Sequence, residues 1–258
     1  MSRSLPPEIL DLTIDHLHDG PATLKACCLV SKSWIPRARQ HLFTHAKFDE
    51  LVSPIESWMK AFPDPSRSPA HHTRTLTILG LRLITAASTD VGRWIRAFHS
   101  VVILHLDTRG WGENWGNDNR VSLLPFHGIS PAVRSLHLES TLAPPSEIFS
   151  LMCSFPLLED FVLVAFGPED EADEWTAPST SPRFTGTLGL SGMVGGVGPT
   201  ARRLLDLPNG LHFTKIVLAC VDEADPKSAT DLVSRCSDTL ESLDVTDHLT
   251  GEWCSTRA

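Results

Sequence analysis

Residues 133–138 read VRSLHL and set Val133, Leu136 and Leu138 on one side of a short segment in which apolar and polar residues alternate. A period of two is that of a strand with one face in a core. Six further segments share the x-x-Φ-x-Φ form, where Φ is apolar: RTLTI (74–78), VILHL (102–106), EDFVL (159–163), GTLGL (186–190), TKIVL (214–218) and ESLDV (241–245). The first apolar positions of the seven are Leu76, Leu104, Leu136, Phe161, Leu188, Ile216 and Leu243, so the numbering advances in steps of 28, 32, 25, 27, 28 and 27. A recurrence this regular marks a repeat architecture and predicts that the seven strands stack in register.

Four of the six spacers carry a helical stripe behind a capping-type residue. Asp90 precedes Val91, Trp94, Ile95 and Phe98; Ser146 precedes Ile148, Phe149, Met152 and Phe155; Thr200 precedes Ala201, Leu204 and Leu205; and 227–236 carries Ala229, Leu232, Val233 and Cys236. One strand and one helix per repeat is the expected unit. A doubly wound α/β domain also alternates strand and helix, but its central strands are apolar on both faces. Here His105, His137, Glu159 and Asp244 occupy alternate positions, which predicts a sheet with one open face.

The chain has 258 residues, 41% of them hydrophobic and 21% charged, and a formal charge of −9. That balance belongs to an ordered globular protein, and its sign opposes a phosphate-backbone binder, so no nucleic-acid partner is expected. Acids and prolines are spread through the stretch up to Pro21, and no apolar run in the chain reaches the length of a membrane span. Cysteines 27, 28, 153, 220, 236 and 254 contain no C-x-x-C pair, consistent with a reducing, cytoplasmic or nuclear setting.

The front of the chain is organised differently. In LPPEILDLTIDHL (5–17), Ile9, Leu10, Thr13, Ile14 and Leu17 share a helix face, two prolines and early acids suit the first turn, and Gly20–Pro21 stops the helix. A second helix follows, with Leu24, Cys27, Cys28 and Leu29 as its apolar set, and a third runs from about Ser33 to Phe43 with Pro36 in its first turn. Three short helices of this combined length lie near the lower limit for independent folding, which suits a docking module.

Two resemblances follow from these residues. The L-x-x-L-x-L cores VRSLHL, LEDFVL and LESLDV resemble leucine-rich repeats over about residues 70–250, in a degenerate form that mostly lacks the asparagine or cysteine after the strand. The run LPxEIL, followed by Ile14, Leu17, Leu24, Cys28 and VSKSW (30–34), resembles the F-box over residues 4–45. Together they imply an α/β protein: a three-helix F-box-like module (1–46), a linker or connecting helix (47–69), and a leucine-rich-repeat solenoid with a curved parallel sheet (70–258). The solenoid would hold about seven repeats and could be incomplete at its C-terminal end. The F-box resemblance implies a substrate receptor of a cullin–RING ubiquitin ligase, with Leu5, Pro6, Ile9, Leu10, Ile14, Leu24 and Val30 as contacts for a Skp-type adaptor; a half-buried stripe serves a core equally well, and Ile14, Leu17 and Trp34 also read as core of the module. The repeat body would then hold an unknown target protein. The alternative is a repeat scaffold whose front helices only cap the solenoid.

Neither reading calls for an enzyme, a cofactor or a metal. HLFTH (41–45) has two histidines four apart but no glutamate beside the first, and GLSGMVGGVG (189–198) lacks the ending of a phosphate-binding loop. The acidic run PEDEADEW (168–175) reads as a solvated loop. Trp111 and Trp115, in DTRGWGENWGNDNR (107–120) directly after a strand, are candidate target-binding residues, since tryptophans on loops often anchor interfaces. Little chain follows the last strand, only the segment 246–258, which predicts an edge that is open or paired with another chain.

Overall fold

The computed structural model describes residues 6–49, 52, 54–80, 89–107, 122–139, 143–164, 176–191, 198–219, 226–246 and 253–257. Three helices come first: α1 (Pro7–Asp15), α2 (Pro21–Val30) and α3 (Ile35–Leu42). Each begins with proline at its first or second position, where a missing N–H costs nothing. Pro36 accordingly sits in the first turn of α3 and starts the helix instead of kinking it.

Among the described residues nine strands follow: β1 (His45–Asp49), β2 (Thr75–Leu79), β3 (Ile103–Asp107), β4 (Ser135–Glu139), β5 (Asp160–Val164), β6 (Thr187–Ser191), β7 (Lys215–Ala219), β8 (Ser242–Thr246) and β9 (Trp253–Arg257). Between them lie the helices α4 (Ile55–Ala61), α5 (Thr89–Ile95), α6 (Pro145–Cys153), α7 (Gly198–Leu205) and α8 (Pro226–Arg235). The strands form one α/β sheet in chain order, with β1 to β8 parallel and β9 antiparallel to β8. Strand order never reverses, so the sheet has no topological switch point of the doubly wound kind.

The seven expected strands are all present and in the expected register: Leu76, Leu104, Leu136, Phe161, Leu188, Ile216 and Leu243 stand side by side. Ile78, Leu106, Leu138, Leu163, Leu190, Leu218 and Val245 form the second apolar row. Both rows are fully buried from β2 to β7, whereas the residues of β8 are half-buried. Between strands, one backbone link recurs: Arg134 N–H donates to Val102 O, Glu159 N–H to Arg134 O, Gly186 N–H to Glu159 O and Thr214 N–H to Gly186 O. These bonds satisfy the strand entrances, which would otherwise leave backbone groups without partners.

A second period runs through the core. Phe98, Phe126, Phe155, Phe184 and Phe213 are all fully buried, and their numbering advances in steps of 28, 29, 29 and 29. The rings of Phe184 and Phe213 stack with centroids 5.0 Å apart. Fully burying each ring contributes about 2–3 kcal/mol.

Two differences from the sequence reading concern the ends. The segment assigned to module and linker contains β1, whose Ala46 and Phe48 extend the two apolar rows by pairing with Leu76 and Ile78. The helical module therefore ends before residue 45. At the other end β8 is paired by the chain's own β9, so the edge expected to be open or taken by another chain has an internal partner.

Candidate functional site: the helical module and the open face of the sheet

The helical module has its own small core, separate from that of the sheet: Ile14, Leu24, Cys27 and Ala38, with Leu17, Cys28, Trp34 and Leu42 packed against it. A polar clasp fixes α1 to α3. The carboxylate of Asp15 accepts from Arg37 Nε at 2.5 Å, from Arg37 Nη2 at 2.6 Å, and contacts His41 Nε2 at 2.7 Å. The bidentate guanidinium and the imidazole hold the Asp15 carboxyl well below the usual carboxylate range, and the same bonds push Arg37 further up.

With that core filled, several apolar residues of α1 and α2 face outward. Ile9 is 47% exposed, Leu12 56%, Val30 66% and Leu29 88%; Pro6 is also exposed and Leu10 half-buried. Ile9 and Leu12, three apart, lie on one helix face. Single exposed leucines are ordinary, but five outward-facing apolar residues between Pro6 and Val30 of one small module favour a partner.

The open face of the sheet carries the alternate strand positions. Its middle row reads Lys47, Thr77, His105, His137, Val162, Gly189, Val217 and Asp244 across β1 to β8. The His105 and His137 rings lie 5.8 Å apart. His105 Nε2 is 3.5 Å from Glu139 Oε1, an ion-pair distance without hydrogen-bond geometry, and His137 Nε2 is 3.1 Å from Ser135 Oγ. Burial, followed by the neighbouring His105, pushes the His137 imidazole down from its ordinary value. Further along, Lys215 Nζ pairs with Asp244 Oδ2 at 3.1 Å. The face is thus polar and partly enclosed, suited to recognition by hydrogen bonds and charge.

The chain matches no family model and no curated protein. Its surfaces must be read from their own residues.

Of the adaptor-contact residues expected from sequence, Pro6, Ile9 and Val30 lie at the surface and Leu10 at its margin. Ile14 and Leu24 do not: each is 1% exposed and holds the module's core together. An amphipathic stripe does not reveal which of its members meet a neighbouring helix, and these two meet inside the module. Leu12 and Leu29 are outward-facing residues absent from the expected contact set. Leu12 lies beside Ile9 but away from the buried Ile14, and an apolar residue off the buried side of a helix is itself a signal of an exposed patch. Leu5, Trp111 and Trp115 lie outside the described residues.

The i, i+4 histidines of HLFTH are separated by the end of α3: His41 turns to Asp15, while His45 opens β1. No group of three or more His, Cys, Asp or Glu placed to hold a metal occurs among the described residues. Cys27, Cys28, Cys153 and Cys236 are free thiols. No described helix is long and apolar enough to cross a membrane.

Proposed function

We propose that this protein is an F-box-type substrate receptor, docking a Skp-type adaptor through α1 and α2 and holding a target protein on a leucine-rich-repeat body. The observation that carries the reading is the outward-facing apolar set Pro6, Ile9, Leu12, Leu29 and Val30 on a module whose core is already complete. The parallel strands in chain order, the near-constant step from one strand to the next and the open polar face support the repeat assignment of the body.

The alternative of a mere cap is less well supported, because other residues cover the first end of the sheet core. Trp58 of α4 packs edge-on against Phe48 at 5.7 Å and Phe43 at 5.5 Å, and lies 5.9 Å from Phe98. Ile55 and Ala70 are buried in the same cluster. With that cover in place, the outer apolar residues of α1 and α2 are not needed to shield the body. On this reading the receptor performs no bond chemistry; it raises the effective concentration of the target at the ligase.

Co-purification tests the proposal. Wild-type chain should retain a Skp-type adaptor, and Ile9→Asp/Val30→Asp should lose it while keeping the wild-type melting temperature. Failure of the wild type to retain adaptor, or equal retention by the variant, would overturn the proposal.

A further inference from the structure

A cleft of about 520 Å³ opens between the segment 65–72 and the end of α5. Arg93, Arg96 and His99 line one wall, and Ser66 and His71 the other; none of its seven lining residues is acidic. In a chain of formal charge −9, such a gathering of cationic and protonatable groups is against the trend of the whole surface.

The two histidines are held in place. His71 Nδ1–H donates to Ser68 O at 2.9 Å and His99 Nδ1–H donates to Ala97 O at 3.1 Å. A carbonyl can only accept, so in both rings Nδ1 carries the hydrogen and Nε2 remains for another partner. The nearby carboxylate, Asp64, is committed to Ser66, accepting from its N–H at 3.0 Å and its hydroxyl at 2.7 Å, with Arg67 at 3.6 Å. Asp64, held down chiefly by its bonds from Ser66, also feels the charge of Arg93, but no ion pair to Arg93 or Arg96 occurs among the described side chains. Arginines near a helix C-terminus favour its dipole in any protein. That accounts for two cations, but not for two histidines brought to the same cleft by different segments.

We infer that this cleft binds a phosphomonoester, held by the guanidinium groups of Arg93 and Arg96 with Nε2 of His71 and His99 at its sides. Two guanidiniums match the charge of about −1.5 to −2 on a phosphomonoester, and their forked N–H groups suit its oxygens. The cleft is open to solvent and lined by surface residues, so it admits a phosphate carried on a protein segment as well as a free one.

The full-length chain should be titrated by calorimetry with a short phosphoserine peptide, its unphosphorylated form, its glutamate form and inorganic phosphate. The phosphopeptide should bind, the unphosphorylated form should not, and Arg93→Gln/Arg96→Gln should weaken binding at least tenfold. Thermal melting of that variant checks its fold, and the single variant Arg96→Gln, expected to lose affinity more modestly, stands in if the double variant melts early. Phosphopeptide binding tighter than inorganic phosphate would assign the site to a phosphorylated segment; equal affinity would assign it to a free phosphate. Absence of phosphopeptide binding, equal binding of the glutamate peptide, or unchanged affinity in the folded arginine variants would each overturn the inference.

Discussion

Replacing Gly186 by alanine probes how tightly neighbouring repeats are keyed together. Gly186 enters β6 with its N–H donating to Glu159 O at 3.2 Å and its carbonyl accepting from Thr214 and Lys215 N–H at 3.0 and 3.2 Å, so its backbone is held on both sides. A Cβ there would fall onto Asp160 Oδ1 and stand 3.0 Å from Asp160 Cγ, and the side chain must yield because the backbone cannot. That carboxylate accepts from Thr187 N–H at 2.6 Å. Losing a hydrogen bond to a charged group costs about 1.5–3 kcal/mol, and removing glycine from the unfolded chain returns about 0.4–1 kcal/mol. Gly186→Ala should therefore destabilise by about 1.5 kcal/mol. Asp160→Ala alone should cost a similar amount, because it leaves the same Thr187 N–H without its acceptor. With the carboxylate already gone, Gly186→Ala should add less than about 0.5 kcal/mol, since only a contact of 3.2 Å with the Glu159 carbonyl carbon remains. Urea unfolding of wild type, both single variants and the double variant measures the cycle. Additive costs would refute the reasoning, because they would mean that the carboxylate and the methyl do not compete for one space.

The clasp of α1 on α3 should be acid-sensitive. Asp15 titrates lower in the folded chain than its ordinary 3.8, so its contribution is present above that pH and is lost as pH falls through the depressed value. Stability of the helical module should drop below about pH 4 in wild type, and Asp15→Asn should show a flatter acid limb by circular dichroism. Burial pushes the Cys153 thiol up to about 11, which leaves on the order of one thiol in a thousand ionised at pH 8. Iodoacetamide at that pH should modify Cys153 only after denaturation, as read by peptide mass mapping.

How much of this was legible beforehand follows from the physics of each element. The register of β2 to β8 is readable from sequence, although each strand starts one residue later than its segment, because alternation and a fixed spacing specify register together, and a one-residue slip would turn Leu136 and Leu138 to the open face. β1 escaped because it begins almost directly after α3 ends, and its inward residue Ala46 is too small to stand out as a core position. Its alignment with Leu76 continues the same period once seen. β9 was not readable: WCSTR pairs antiparallel and follows no repeat. Of the phenylalanine series, Phe98 and Phe155 stand at the ends of helical stripes in the sequence, whereas Phe126, in a short 3-10 turn, and Phe184 and Phe213, outside helices and strands, belong to no helical or strand period. In the helical module, sequence identified the stripe but not its division, since Ile9 and Ile14 differ only in which neighbour they face. The cleft of His71, Arg93, Arg96 and His99 joins two segments that only the fold brings together.

If α1 and α2 form a docking surface distinct from the repeat body, hydrogen exchange will show it. In the chain mixed with a Skp-type adaptor, amides of residues 7–30 should exchange more slowly than in the chain alone, while those of β2 to β7 should be unchanged. No added protection in residues 7–30, or protection confined to the sheet, would contradict the claim.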